Sequence, residues 1–292
     1  MIYENIDEFL NSNNDHLVSF TVSTYNNLNL IRNLFTSAKN NNINLVLFAL
    51  DKKIASYMNE HFKIEIVLFL LTDPRNQEDT DINVYYNYRY GTKEWKEIVY
   101  DRYFITHRLL KEGRNIVYMD TDIYINRNYL CDIKEKLRVN DIIIQSNDKD
   151  CCTGFFAMKS NKKLINFFNR KNMINNLKCY EFGGTGGPSD QKFFNHFIGG
   201  KNMESFNCVL LERNFYPNGN YFYDNNEIIN EYCYIIHFNC VKSEYKKILR
   251  IIEYGKLLID LIDYLPVDEE SLNDKTMIEY KNLLDSINAV KE

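Results

Sequence analysis

Two aspartates, Asp120 and Asp122, leave the end of a short apolar run, Ile116-Val117-Tyr118-Met119, within the stretch NIVYMDTDIYIN. A short apolar run of this kind reads as a buried strand. In an extended chain residues two apart point the same way, so both carboxylates are expected to leave one face. Paired carboxylates at the carboxyl end of a buried strand suit a hard divalent cation such as Mn²⁺ or Mg²⁺. Open α/β sheets also bind their ligands at that end. The plainer alternative is a strand-end cap or turn. Asp79-Thr80-Asp81 repeats the tripeptide and Asp148-Lys149-Asp150 repeats the pattern, but both lie in polar stretches that read as loops. Only the copy at 120 is fed by a buried strand.

Three further residues carry chemical potential. Arg102 falls inside the apolar stripe of a helix over Lys93–Lys111. A guanidinium there needs an anion, either a structural carboxylate or a ligand phosphate. Asp190 follows the glycine-rich run Gly183–Gly187 and opens a helix with Phe193, Phe194 and Phe197 on its buried side. It is a helix cap or a site residue. His237 lies near the end of the apolar run YCYIIHF, where a lone histidine is more often a satisfied core residue than a ligand. The glycine-rich run lacks the GK[ST] ending of a P-loop.

The elements that position these residues alternate. His16–Ser23, Leu45–Leu50 and Ile64–Leu71 read as strands, with a helix over Asn26–Asn40 and a shorter one before Ile64. That alternation predicts a mostly parallel α/β sheet flanked by helices. Thr72–Gly91 reads as a long loop. The helix Lys93–Lys111 ends at Gly113, a C′ residue. Strands at Asp141–Ser146, Cys152–Lys159 and Tyr232–Phe238 follow, with helices near Asp132–Val139 and Asn161–Lys171. Helical patterning resumes at Glu244, and a last helix is expected over Ser271–Val290.

The chain has 292 residues, 45% hydrophobic and 26% charged, with a formal charge of −5. That suffices for one large domain with an appendage. No basic stripe stands out, which argues against a nucleic-acid partner. The acidic start MIYENIDEFLNSNND has no apolar core of the kind a signal peptide needs, and the longest apolar runs are too short to span a bilayer. Seven scattered cysteines, without a CxxC pair, fit a reduced protein, and the expectation is a cytoplasmic one.

In order, these pieces resemble the GT-A nucleotide-diphospho-sugar transferases. The group that includes plant xylosyl- and arabinosyltransferases is the nearer likeness, and the glycogenin and galactosyltransferase group the more distant. The resemblance runs from about His16 to Lys242. It rests on Thr21 in the first strand, Ala49-Leu50-Asp51, and the Arg102 helix leading into Asn115–Asp122. Thr153-Gly154-Phe155, Asp190-Gln191 with Asn195, the turn Phe215–Gly219, and His237-Phe238 followed by Lys242 complete it.

The resemblance implies a GT-A domain over 1–242 and a helical extension over 243–292. It implies Mn²⁺ or Mg²⁺ on Asp120, Asp122 and His237, with Lys242 reaching a diphosphate. Thr21, Asp51, Arg102 and Thr121 are then expected around the nucleotide, and Thr153 and Gly154 beside the sugar. Asp190 is expected to hold the donor's hydroxyls, with Gln191 near the anomeric carbon. The implied reaction is retaining transfer from a UDP-sugar to a hydroxyl-bearing acceptor. The extension is left to pack on the domain, bind a partner or mediate oligomerisation. Two alternatives stand beside this. One is a haloacid-dehalogenase-type phosphatase, in which the first Asp is the nucleophile, although Tyr124 stands where Thr or Val is usual. The other is a non-catalytic sugar-binding or scaffold domain.

Overall fold

The computed structural model describes residues 1–69, 93–148, 150–169, 171–173, 190–197, 206–223, 231–241 and 244–259, with side chains except at 93–100, 190, 193, 197, 244 and 245. The expected features at Thr72–Gly91, Gly183–Gly187, Lys242 and Ser271–Val290 lie outside the described residues.

β1 (Ile2–Tyr3) and α1 (Ile6–Ser12) precede β2 (Leu17–Ser23), α2 (Leu28–Asn40), β3 (Leu45–Ala49), α3 (Lys52–His61) and β4 (Ile66–Leu68). Helix α4 (Lys93–Lys111) leads into β5 (Asn115–Met119) and β6 (Ile123–Ile125). Then come α5 (Leu130–Val139), β7 (Ile142–Asn147), β8 (Asp150–Met158) and α6 (Lys162–Phe168). Helix α7 (Asp190–Phe197), β9 (Cys208–Leu211), α8 (Gly219–Phe222), β10 (Ile235–His237) and α9 (Glu244–Glu253) follow. Gly113, at φ +76°, ends α4 as expected: its N–H and that of Arg114 donate back to Leu110 and Leu109.

Among the described residues, eight strands form one sheet in the order β1-β4-β3-β2-β5-β8-β7-β9. All pairings are parallel except those that β8 makes with β5 and β7. Strand alternation sorts the core onto two faces. Ile116, Tyr118, Phe156 and Met158 pack with Leu109 and Leu110 of α4 on one side. Val117, Met119, Phe155 and Ala157 pack with α2, α3 and α5 on the other. Burial on both faces explains why β3 and β5 read as continuous apolar runs.

Three features depart from the sequence reading. β1, α1, β6 and β9 are additional elements, too short or too polar at their ends to show a period. The strand expected at Tyr232–Phe238 shortens to β10, which leaves the main sheet and pairs antiparallel with β6 as a two-stranded ribbon. The β7–β8 register jumps from Ile144 opposite Phe156 to Gln145 opposite Cys152, so β8 bulges over Thr153–Phe155. Bulges of this kind re-aim side chains beside functional sites.

Candidate metal centre

Asp120, Asp122 and His237 converge where β5 ends. Asp120 follows the strand, and the chain turns at once, with the N–H of Ile123 donating to Asp120 O at 3.3 Å. The carboxylates therefore meet through a turn, and not through strand alternation as the sequence suggested. The turn feeds β6, whose Ile123 faces His237 of β10, and the N–H of Phe238 donates to Asp122 O at 3.0 Å. This ribbon carries a residue 115 positions away onto the aspartates.

His237 Nε2 lies 3.2 Å from Asp122 Oδ1 and 3.7 Å from Asp120 Oδ2, and the three donor atoms fall within 4.8 Å of one another. Neighbouring ligands on a small octahedral cation lie about 3 Å apart, so the spacing suits one shared ion. Gly154, in the β8 bulge, leaves the room: a Cβ there would run into the His237 ring and stand 2.9 Å from Asp120 Oδ2. Oxygen and imidazole donors of this kind suit Mn²⁺ or Mg²⁺ better than a thiophilic metal.

His237 is aimed from behind. Its Nδ1 lies 2.8 Å from Gln145 Oε1, while Gln145 Nε2 donates to the Tyr216 and Pro217 carbonyls at 3.0 and 3.1 Å. Two carbonyls can only accept, which fixes the amide with its oxygen toward the ring. Nδ1 therefore carries a proton, and Nε2 faces the aspartates. The Pro217 carbonyl also accepts from His237 N at 3.1 Å, so the Phe215–Gly219 turn holds both Gln145 and the histidine. Asn218, fully buried, ties that turn to Ser146 O at 3.0 Å. Burial alone would push the His237 imidazole down, but the adjacent Asp122 carboxylate outweighs it and holds the ring well above the ordinary range. A divalent ion and the Nε2 proton therefore compete for one lone pair.

Each aspartate also has a cation. Arg102, on the apolar face of α4, reaches Asp120 Oδ1 at 3.2 Å, and Tyr118 OH donates to the same oxygen at 2.6 Å. The guanidinium lies against the rings of Tyr103 and Tyr118, 5.0 and 4.9 Å from their centroids. Burial, and then the nearby Asp120 charge, raises the Tyr118 phenol, so it remains a donor. Asp122 is only 2% exposed, and its Oδ2 lies 2.7 Å from Lys247 Nζ of α9. Burial works against its charge, but Lys247 and then His237 outweigh that and keep the carboxyl far below its usual range.

The remaining expected site residues fall as follows. Thr21 is fully buried in β2, and its hydroxyl has no hydrogen-bond partner among the described residues. Asp51 caps α3, with Oδ1 accepting from Ile54 N and Oδ2 from Tyr25 N, each at 2.8 Å. Thr121 is half-buried in the turn between the aspartates, and Thr153 is buried in the bulge beside Gly154. Asp190 opens α7, but its side chain lies outside the description; Gln191 is half-buried. Asn195, five residues on, accepts from Cys151 N at 2.6 Å and donates to Cys151 O at 3.2 Å, tying α7 to β8 two residues before Thr153. Lys242 lies outside the described residues.

Gln145, Tyr118 and Lys247 were not singled out in the sequence. Gln145 had a signal, as the one amide in the run Ile142-Ile143-Ile144-Gln145. Lys247 had none, because a lysine on an amphipathic helix normally faces water.

The sequence profile of nucleotide-diphospho-sugar transferases matches residues 41–251. A curated relative, the UDP-galactose:fucoside alpha-3-galactosyltransferase of Dictyostelium discoideum, is 26% identical over 287 residues, covering 82% of this chain. The chain spans 42% of that relative's length. The glycosyltransferase GlyE of Streptococcus pneumoniae superposes with a TM-score of 0.55 at 15% identity, over 85% of this chain and 61% of its own. Mouse xyloside xylosyltransferase 1 superposes with a TM-score of 0.51 at 14% identity, over 78% of this chain and 99% of its own. The fold is thus the GT-A fold that the resemblance implied. No described helix is long and apolar enough to cross a membrane.

Proposed function

The chain belongs to the nucleotide-diphospho-sugar transferase family, and on that premise we propose that it is a metal-dependent, retaining glycosyltransferase acting from a UDP-sugar onto a hydroxyl acceptor. The observation that carries this reading is the convergence of Asp120 Oδ2, Asp122 Oδ1 and His237 Nε2 against Gly154, whose missing side chain permits their close approach.

A divalent ion held there, Mn²⁺ or Mg²⁺, would stabilise the charge that develops on a departing nucleoside diphosphate. The chain's own residues prepare the site. Gln145 aims His237, and Arg102 with Tyr118 fixes Asp120. Lys242 meets the diphosphate. Thr21 and Thr121 lie toward the nucleotide, and Asp51 acts there through the Tyr25 turn that it holds. Thr153 and Gly154 form the wall beside the sugar. Asp190 grips the donor's hydroxyls with Gln191 near the anomeric carbon, a placement supported by the Asn195 tie of α7 to β8.

The name of the Dictyostelium relative supports UDP-galactose as the first donor to try and a fucoside as the first acceptor. An α-linkage formed from an α-configured nucleotide sugar is retention, which agrees with the proposed stereochemistry. The test is UDP release from UDP-galactose with a fucoside, with Mn²⁺ or with EDTA, and NMR of the product's anomeric proton. Metal-dependent release with an α-linked product is expected. Release that is indifferent to EDTA, or a β-linked product, overturns the proposal.

A further inference from the structure

Lys247 holds Asp122 from α9, a helix that follows the last of the sequence motifs and lies largely within the family profile match. Its Nζ lies 2.7 Å from Asp122 Oδ2. The presentation is firm. Ile248 and Ile251, one and four residues after the lysine in the same helix, are buried with Leu30, Ile236 and Phe238. Beyond the helix, Gly255 takes φ +63° and its N–H donates to Ile252 O at 2.8 Å. Asn33 of α2 then receives Leu258 N at 2.8 Å and donates to Lys256 O at 3.3 Å. The ammonium is therefore delivered to the site by packing, and the lysine side chain keeps 28% of its surface exposed while the carboxylate it meets keeps 2%.

The charges of the cluster give this contact its meaning. Arg102 and Lys247 already balance Asp120 and Asp122. A divalent ion added with both cations in place makes a largely buried cluster doubly positive, which is unfavourable at these separations. A diphosphate is the anion that matches that excess. From this geometry we infer that Lys247 is an internal counter-ion of the candidate cation site. It neutralises Asp122 while no divalent ion is bound, yields the carboxylate when the ion arrives, and is then placed to meet the diphosphate that arrives with it. The device makes metal binding depend on the nucleotide. The inference rests on the proposed metal-dependent reading.

Two measurements on the full chain test it. In the first, free Mn²⁺ is followed by EPR during titration of the unaltered chain and of Lys247→Met, each with and without UDP. Removing one competing unit charge should tighten binding of Mn²⁺ alone by about tenfold, and the gain conferred by UDP should shrink in the variant. In the second, the unaltered chain receives a brief pulse of an amine-acylating reagent, read by mass spectrometry at Lys247. Labelling should rise with Mn²⁺ and fall again when UDP is added. Mn²⁺ affinity that is equal or weaker in Lys247→Met, in a chain that otherwise binds Mn²⁺ and UDP, overturns the counter-ion role alone, as does labelling unmoved by Mn²⁺. An unaltered chain that binds no Mn²⁺ with or without UDP overturns the metal-site reading and this inference with it. If the variant fails to fold, the labelling of the unaltered chain decides.

Discussion

Gln145 Oε1 meets His237 Nδ1 at 2.8 Å, and this contact decides which nitrogen of the imidazole faces Asp120 and Asp122. Partners of this kind behind a metal ligand typically change affinity by about 10–100-fold when lost. Gln145→Met keeps the volume, removes the acceptor and leaves the Tyr216 and Pro217 carbonyls without their shared donor. Mn²⁺ affinity, measured by calorimetry in the presence of UDP, should fall within that range. Stability should fall by about 1–3 kcal/mol, the usual penalty for unpaired buried polar groups. Unchanged Mn²⁺ affinity would show that the ring is aimed by its own packing.

The two aspartates differ in a way that the DTD pattern does not show. Asp120 keeps 36% of its side chain exposed and Asp122 only 2%. Asp122→Asn retains shape but leaves Lys247 and His237 facing a neutral amide. Metal-dependent UDP binding should disappear, with the far-UV circular dichroism of the unaltered chain preserved. A variant that still binds UDP more tightly with Mn²⁺ than without it would remove Asp122 from the ligand set.

Arg102 asks a related question about Asp120. The buried member of this pair is the arginine, so Arg102→Leu removes the desolvated charge and leaves a carboxylate that water and Tyr118 can still serve. The destabilisation should therefore stay below the roughly 3–5 kcal/mol of a stranded buried charge. Urea unfolding checks this. UDP affinity should drop through loss of the aimed Asp120, and full affinity would leave Arg102 a purely structural partner.

Gly154 supplies a test by steric means. Gly154→Ala places a methyl group against the His237 ring, so metal binding and stability should fall together. Gly154→Ala combined with His237→Ala removes the clash with the ring and leaves only the 2.9 Å approach to Asp120 Oδ2. Its melting temperature should recover relative to Gly154→Ala, while Mn²⁺ binding stays lost. Such non-additivity is the signature of residues in contact. Strict additivity of the two substitutions would show that the approach of Gly154 to His237 is not tight in solution.

What the sequence made legible was local. The buried run at Ile116–Met119, the Gly113 helix end and the strand–helix alternation each follow from periodicity or turn chemistry within a few residues, and the structure has all three. Asp120, Asp122 and His237 were singled out as site residues, but their meeting was not derivable from spacing. It depends on the β6–β10 ribbon, whose strands are three residues each. Strands that short carry no readable alternation. The i, i+2 argument for the aspartates named the right residues through the wrong geometry, because the chain turns immediately after Asp120. Lys247 was illegible for a different reason: its partner is 125 positions away, and packing of α9 against Leu30 of α2 and against Ile236 and Phe238 brings them together.

The last prediction concerns Asp190, which opens α7. A helix-opening aspartate is a good cap, and asparagine caps about as well. If capping is its whole role, Asp190→Asn should leave turnover and stability nearly unchanged. As a donor-sugar contact it should behave otherwise. The Asn195 side chain ties α7 to Cys151 of β8 through two hydrogen bonds, so the helix that Asp190 opens is held against the strand that carries Thr153 and Gly154. A carboxylate there can accept from two sugar hydroxyls, and an amide presents a donor to one of them. UDP alone lacks the donor sugar that would meet it. Asp190→Asn should therefore lower kcat by about 10–1,000-fold, on the scale of losing one or two charge-assisted hydrogen bonds. Its UDP affinity should stay within about twofold of the unaltered chain. Asn195→Ala provides the comparison, because it loosens the helix without touching the carboxylate and should weaken donor binding and turnover together. Full turnover in Asp190→Asn would return that residue to the helix cap.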